Sequence, residues 1–382
     1  MLKVAYVTLY DANDVNQWSG LGFFIRKSLK DQGLEVNTIG NVTTRLRFLY
    51  AFKYLYYAVF LRKRYLLDRE PRLLKRLAKK IQRQLDQTEY DVIFSPGLLA
   101  IVYLNTDKPI VVHTDATFKK ILDYPECKYL ASTSVTNGHK LERIGLSRCQ
   151  AVCFASRWAA DSAINDYQIP SDKVHVVPFG ANLLHEPTQE EVQHAIEQRV
   201  SDHVHLLFVG KDWHRKGGTC AMQVVRLLHE QGQPATLHIV GCSPELATAD
   251  LAYVRQYGFL DKNDSLAVDL LRKLYLQSHF FILPSQAEAF GVVYCEANAY
   301  GLPCLARSVG GVPTIIEEGV NGFMLPPGEP CDVLVRKMLA TLASPDAYAA
   351  MAWQSYQEYQ QRLNWNQSGK QLKSIIENAH TY

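Results

Sequence analysis

The chain has 382 residues, 47% hydrophobic and 21% charged, and its 41 Lys and Arg against 38 Asp and Glu give a formal net charge of +3. That length suffices for two domains with real cores, and the composition excludes disordered, collagenous and disulfide-scaffold classes. The near-neutral total hides a local excess: residues 45–83 hold 13 Lys and Arg against Asp68 and Glu70 alone, a surplus of +11 that leaves −8 for the rest.

A local basic surplus is a statement about a partner. The eight cysteines (127, 149, 153, 220, 242, 295, 304 and 331) form no C-x-x-C pair, and several sit in apolar runs. Buried, reduced thiols of a cytosolic protein are expected. The N-terminus, MLKVAYVTLY, reads directly into a strand instead of a secretory leader, which gives a cytoplasmic expectation. The longest apolar stretch, 48–61, is interrupted by Lys53 and falls short of the roughly 20 residues that a spanning helix needs.

In chain order, short apolar runs are predicted as strands: VAYVTL, LEVNTI, DVIFS, PIVVH, AVCFA and VHVVP, with a helix over 22–32 and a basic stretch after the second strand. Residues 185–203, rich in Glu, Gln and His, carry no strand signal and are read as a linker. The alternation restarts with VHLLFVG at 204–210, a helix over 218–231, ATLHIVG at 235–241, a helix near 264–277, HFFILP at 279–284, a helix near 291–300, then LPCLA and GFMLP. Strands alternating with helices predict parallel sheets covered on both faces. The expected organisation is α/β: a Rossmann-like domain over 1–184, the linker, a second over 204–345, and C-terminal helices over 346–382. Two such domains facing each other would bind ligands at the carboxyl ends of their strands.

The sharpest local signal is LFVGKDWHRKGG, 207–218. A buried strand ends in Gly210, and a turn holding Lys211, His214, Arg215 and Lys216 runs into Gly217-Gly218 and a helix. Free N–H groups, the helix dipole and ammonium groups converge there on one spot, which suits a phosphate. It is neither a P-loop nor a dinucleotide fingerprint, and the competing reading is a solvated basic loop. The second signal is LPSQAEAFGVVYCEANAYGLPCLA, 283–306, with Glu288 just before a helix and Glu296 on it. Positions eight apart lie within about 80° on a helix, so both carboxylates can face one cleft and accept from sugar hydroxyls, with the amides of Ala289, Phe290 and Gly291 donating. An ordinary exposed helix face is the alternative.

These two motifs, with VGGVPTIIEEGVNGFML at 309–325, resemble family 4 of the retaining GT-B glycosyltransferases, the glycosyl transferases group 1. The match is continuous over roughly 205–326, and weaker features extend it over nearly the whole chain. The resemblance implies two Rossmann-like domains around a cleft, with the C-terminal helices crossing back to the first. It implies that Lys211 and Lys216 neutralise a donor diphosphate, with Arg215 sharing the work; Lys211 stands where many members carry Arg. Glu296 matches the carboxylate that binds the nucleotide ribose, and Glu288 the first of the pair, near the donor sugar. The backbone of Phe259 and Leu260 lies where members receive the base. Gly20 and Gly22, in WSGLGFF, match the glycine loop that closes over the phosphates.

His113, in PIVVHTDATF, matches the position bordering the reacting sugar; a packed strand-end histidine is the competing reading. Asp115, two residues on, and Trp18 are assigned to the acceptor side. Asn182, in PFGAN, departs from the usual Asp and reads as a structural turn. Trp353 and Trp365 are read as packing anchors.

The resemblance implies transfer of a sugar from a nucleoside diphosphate sugar, with UDP-sugars among the candidates, to an acceptor hydroxyl. Retention is expected, of hexosyltransferase type, with no cofactor. No D-x-D is present for a metal, and lysines with helix N-termini can stabilise the departing phosphate, so metal independence is expected. The alternative is an inactive nucleotide-sugar-binding sensor or partner subunit.

The acceptor, a glycan, a lipid-linked species or a small molecule, belongs to the first domain, where the basic stretch lies. Phe48, Tyr50, Phe52, Tyr54, Tyr56, Tyr57 and Phe60, flanked by Arg45, Arg47 and Arg62-Lys63-Arg64, fit an interfacial helix on an anionic membrane surface. The alternatives are a core helix with a charged exterior, followed by a solvated basic helix at 71–86, or another polyanion; no nucleic acid is expected, because no recognised motif accompanies the charge.

Overall fold

The computed structural model describes residues 1–44, 46–199 and 202–381, and only the backbone of Leu46, Arg47 and Leu49. Arg45 and the Arg47 side chain therefore lie outside the described residues. Two units of similar size result: residues 1–178 with 365–382, and residues 179–364.

The first unit contains, in chain order, β1 (Lys3–Val7), α1 (Leu21–Asp31), β2 (Glu35–Ile39), α2 (Leu46–Val59), α3 (Pro71–Leu85), β3 (Val92–Ser95), β4 (Ile110–Thr114), α4 (Phe118–Ile121), α5 (Ser132–Arg148), β5 (Ala151–Phe154), α6 (Arg157–Tyr167) and β6 (Val174–Val176). Its parallel sheet has the order β2-β1-β3-β4-β5-β6. The three central strands β3, β4 and β5 are buried at every position, as strands covered on both faces must be. Helix α1 buries Leu21, Phe24, Ile25, Ser28 and Leu29, the i, i+3, i+4, i+7, i+8 stripe of a core-facing helix. Helix α3 does the same with Leu73, Leu74, Leu77, Ala78, Ile81 and Leu85, and its lysines and arginines point outward.

The second unit contains α7 (Gln189–Gln198), β7 (Val204–Val209), α8 (Gly218–Glu230), β8 (Ala235–Val240), β9 (Val254–Gly258), α9 (Ser265–Gln277), β10 (Phe280–Leu283), α10 (Val292–Ala299), β11 (Cys304–Arg307), β12 (Gly322–Leu325), α11 (Asp332–Leu342) and α12 (Pro345–Arg362). Its parallel sheet runs β12-β11-β10-β7-β8-β9. The last helix, α13 (Trp365–Thr381), belongs to the first unit, where it packs on α1 and Trp365 stacks on Phe24.

Three expectations and one alternative reading are corrected. The segment read as a linker is a helix: Thr188 and Glu191 form a reciprocal capping box, and α7 buries Val192, Ala195 and Ile196. Arg199 ends it by donating to the carbonyls of Leu276, Tyr275, Gly301 and Tyr300, so this polar stretch is integral to the second unit. The division between units falls at Pro178, not residue 184, and of the C-terminal helices only α13 joins the first unit; α12 packs on α10, α7 and α11. The cysteines are not all thiols, because Cys220 on α8 is bonded to Cys331 at the start of α11 with their Cα atoms 6.0 Å apart. The other six are free. The aromatic stretch, finally, is not a core helix: Phe48, Phe52 and Phe60 are each at least 75% exposed.

Candidate donor site

In the second sheet the chain starts at the central strand β7, builds outward through β8 and β9, then returns to pair β10 against the other side of β7. The carboxyl ends of β7 and β10 are therefore the topological switch point, where helices depart in opposite directions and leave a crevice. Both sequence motifs emerge there. The Lys211–Lys216 turn follows β7 and leads into α8, and the Glu288 loop follows β10 and leads into α10.

Glycine makes the close approach possible. Gly217 caps α8 at φ +80°, and a Cβ there would stand 2.1 Å from the Pro284 carbonyl oxygen that follows β10. Gly291 caps α10 at φ +94°, where a Cβ would meet the Tyr294 ring at 2.6 Å. Both are left-handed conformations that a side chain would strain.

The turn is tied to the loop by several bonds. The Gln286 amide donates to the Arg215 carbonyl at 2.8 Å, and the Arg215 guanidinium donates to the Ala287 carbonyl at 3.3 Å. Asp212 holds the turn from within, accepting from the Arg215 amide at 3.0 Å. The Lys216 ammonium is ion-paired with the Glu288 carboxylate, to which Ser285 also donates at 3.4 Å. Lys211 is exposed and places its ammonium 4.7 Å from the centre of the Phe259 ring. The basic turn is thereby joined to the residues read as the base-binding backbone.

Glu296 occupies a second, adjoining environment. Its side chain is almost wholly buried, with one oxygen accepting from Lys262 at 2.9 Å and the other from the Tyr275 hydroxyl at 3.1 Å. Lys262 also donates to the Asn182 carbonyl at 2.9 Å. These four residues border a cavity of about 240 Å³.

The helical-angle argument for the two carboxylates does not hold. Glu288 stands four residues before α10 begins, across the left-handed Gly291, so the pair does not share one helix face. Each has its own lysine. Sequence reasoning missed Lys262 and Tyr275: a Lys inside D-K-N-D reads as a solvated turn, and a Tyr on α9 as core. Phe290 contributes only backbone to the helix start, since its ring is buried edge-on against Phe179. Ala289 precedes it in the loop, and Leu260 is half-buried beside the exposed Phe259.

The remaining candidates belong to the first unit. Its switch point lies between β1 and β3, and the glycine loop follows β1. Trp18 and Ser19 have positive φ, Gly20 caps α1, and Gly22 lies within α1 where a Cβ would stand 2.3 Å from the Tyr10 hydroxyl. Burial, then the charge of half-buried Asp115, pushes the Tyr10 phenol up. His113 is wholly buried, its Nε2 lies 2.8 Å from the Val177 carbonyl oxygen, and burial pushes it down to about 4. Its ring is thus packed and neutral at pH 7. Among the described residues, no three His, Cys, Asp or Glu converge as metal ligands.

Fold and site define a two-unit α/β protein with a crevice lined by basic side chains at the switch point of its second sheet. Known sequences agree in both halves: the family described as glycosyl transferases group 1 matches residues 203–344, and glycosyltransferase family 4 matches 25–183. The chain belongs to this family of GT-B glycosyltransferases. A similar curated protein is the D-inositol 3-phosphate glycosyltransferase of Corynebacterium efficiens, 26% identical over 57% of this chain and 54% of that one. Another is the alpha-D-kanosaminyltransferase of Streptomyces kanamyceticus, 23% identical over 60% and 58%. The chain thus spans little more than half the length of the curated relatives it matches.

Solved structures show the same fold at low identity. Sucrose-phosphate synthase from Thermosynechococcus elongatus matches with a TM-score of 0.71 at 16% identity, covering 100% of both chains. Anabaena HepE, solved in complex with UDP and glucose, matches with a TM-score of 0.64 at 16% identity over 99% of this chain and 100% of that one.

Proposed function

We propose that the protein transfers a sugar from a nucleoside diphosphate sugar to an acceptor hydroxyl, with retention and without a metal. The observation that carries the reading is the Lys216–Glu288 pair at the β7/β10 switch point, with Lys211 and Arg215 on the same turn. A diphosphate entering there would draw the Lys216 ammonium from Glu288 and free that carboxylate for a sugar hydroxyl. Three cations and the α8 N-terminus would then stabilise charge developing on the leaving phosphate, the role a metal ion plays elsewhere. In a front-face transfer the leaving phosphate oxygen accepts the acceptor proton, so no side-chain base is required. This suits His113, which is enclosed and hydrogen-bonded to backbone in the structure.

Glu296 would take the ribose hydroxyls, its charge balanced by Lys262. Because HepE was solved with UDP and glucose, UDP-sugars are the first donors to test.

The experiment is a panel of UDP-, GDP- and ADP-sugars, with acceptor extracts, read by mass spectrometry for nucleoside diphosphate release and glycosylated product. Transfer insensitive to EDTA, with the product anomer matching the donor, is expected. Abolition by EDTA would contradict metal independence. Donor binding without turnover across the panel would favour the sensor reading.

A further inference from the structure

Helix α2 is attached to the first unit along one narrow edge. Among its described side chains, Tyr50, Lys53 and Tyr57 are the half-buried ones. The Tyr57 ring stacks on buried Tyr65 at 5.1 Å, and its hydroxyl lies 3.1 Å from the Thr133 hydroxyl. Lys53 lies over the Tyr65 ring at 4.7 Å and pairs with buried Glu70 at 3.1 Å. The other described side chains of the helix face outward, and the large ones are apolar: Phe48 is 77% exposed, Phe52 78%, Leu55 58%, Tyr56 52% and Val59 60%. At 3.6 residues per turn these five fall within about 100° of one another, opposite the attached edge, in a stripe about 17 Å long. Phe60, 75% exposed, continues it past the helix end. A soluble surface ordinarily scatters such side chains singly, and a contiguous stripe marks a binding face.

Charge identifies what binds. Arg62, Lys63 and Arg64 follow the helix and are all exposed, as are Arg72, Lys75, Arg76, Lys79, Lys80 and Arg83 on α3. Of the two acids in this stretch, Glu70 is turned inward onto Lys53, which leaves Asp68 as its exposed carboxylate. Pairing two copies through this face would bring like charges together. An apolar stripe followed in the chain by exposed cations and few acids complements instead an anionic headgroup layer over an acyl interior.

We propose that α2 and the basic segment following it form a docking surface for an anionic lipid bilayer, into whose boundary the Phe48–Phe60 stripe inserts. No described helix is long and apolar enough to cross a membrane, so this attachment is peripheral. The inference stands independently of the donor reading, because its residues lie in the other unit.

The test is co-sedimentation of the full chain with vesicles of phosphatidylcholine alone and of equal parts phosphatidylcholine and phosphatidylglycerol. Binding to the mixed vesicles, weakened by salt, is expected. Phe52→Glu with Phe60→Glu, both on exposed side chains, should weaken it on the order of tenfold or more while far-UV dichroism stays unchanged. A Phe52→Trp reporter should be quenched by lipids brominated on their acyl chains. Failure to bind mixed vesicles at low salt would overturn the proposal. So would binding without quenching, which would mean adsorption by charge alone, or dimerisation in sedimentation velocity that Phe52→Glu abolishes.

Discussion

Lys216 and Lys262 each neutralise a carboxylate at the switch point, yet only the first is legible in the sequence. Lys216 sits in a glycine-bounded basic turn between a strand and a helix, a pattern that itself suggests anion binding. Lys262 gains its meaning from a contact with Glu296, 34 positions away, which no local spacing reveals. Glu288 and Glu296 are both legible as residues, but the left-handed Gly291 between them makes a helical-wheel argument inapplicable. Lys216→Ala should lower kcat/KM by about a hundredfold to a thousandfold, the scale of losing one group that stabilises transition-state charge. Lys262→Met should act differently. It leaves a buried carboxylate without its counter-charge, although Lys262 is itself 29% exposed and partly screened by water. A loss of about 1–2 kcal/mol of stability is expected, with a raised donor KM and a kcat near wild type. Thermal melts and steady-state kinetics on the same preparation check both parts.

At the scale of elements, periodicity and composition locate the strands of both sheets except β9, whose sequence VRQYG is half polar because it lies at a sheet edge. The helices α1, α8, α9 and α10 also stand close to where periodicity puts them. The polar stretch 185–203 reads as a linker because α7 buries only three side chains and is otherwise anchored through Arg199, whose partners are backbone carbonyls. Backbone acceptors leave no trace in sequence. Arg199→Met keeps the stem and removes the donors, so it should destabilise the second unit by about 3 kcal/mol or more. Calorimetry should show the unfolding transition of that unit lowered while that of the first unit stays in place. The position of α2 is equally invisible: its composition fits a buried or an exposed helix, and only its attachment, through Tyr50, Lys53 and Tyr57 among the described side chains, decides between them.

Across the whole molecule the two units share histidines lowered by burial and differ in one buried carboxyl, Glu142. His238 and His279 of the second unit are both pushed down to about 4 by burial, so the folded unit resists their protonation. Their stabilising effect is full above their ordinary value of 6.5 and is lost as pH falls toward 4. In the first unit the same behaviour of His113, also pushed down to about 4, and of His139 and His175, lowered by burial, is opposed by Glu142. Burial pushes that carboxyl up to about 7, so its contribution is full below its ordinary 4.5 and is lost as pH rises toward 7. Between pH 7 and pH 5 the second unit should therefore lose more stability than the first, which melts recorded at both pH values would show as a shift of its transition relative to that of the first. Charge is divided as well. The surplus of +11 over 45–83 lies wholly in the first unit while the donor turn belongs to the second, so the small net charge of the chain averages two unlike charge distributions. Sequence alone makes that division visible, because charge can be counted without a fold; what the charge surrounds is not visible there, because exposure is a tertiary property. The most direct test of the donor site is calorimetric titration of UDP, GDP and ADP into the wild-type chain and into Lys216→Ala. One of the three should bind the wild type, and the substitution should weaken it about a hundredfold; absence of binding by all three, or equal affinity in the variant, would contradict a diphosphate site at the β7/β10 crevice.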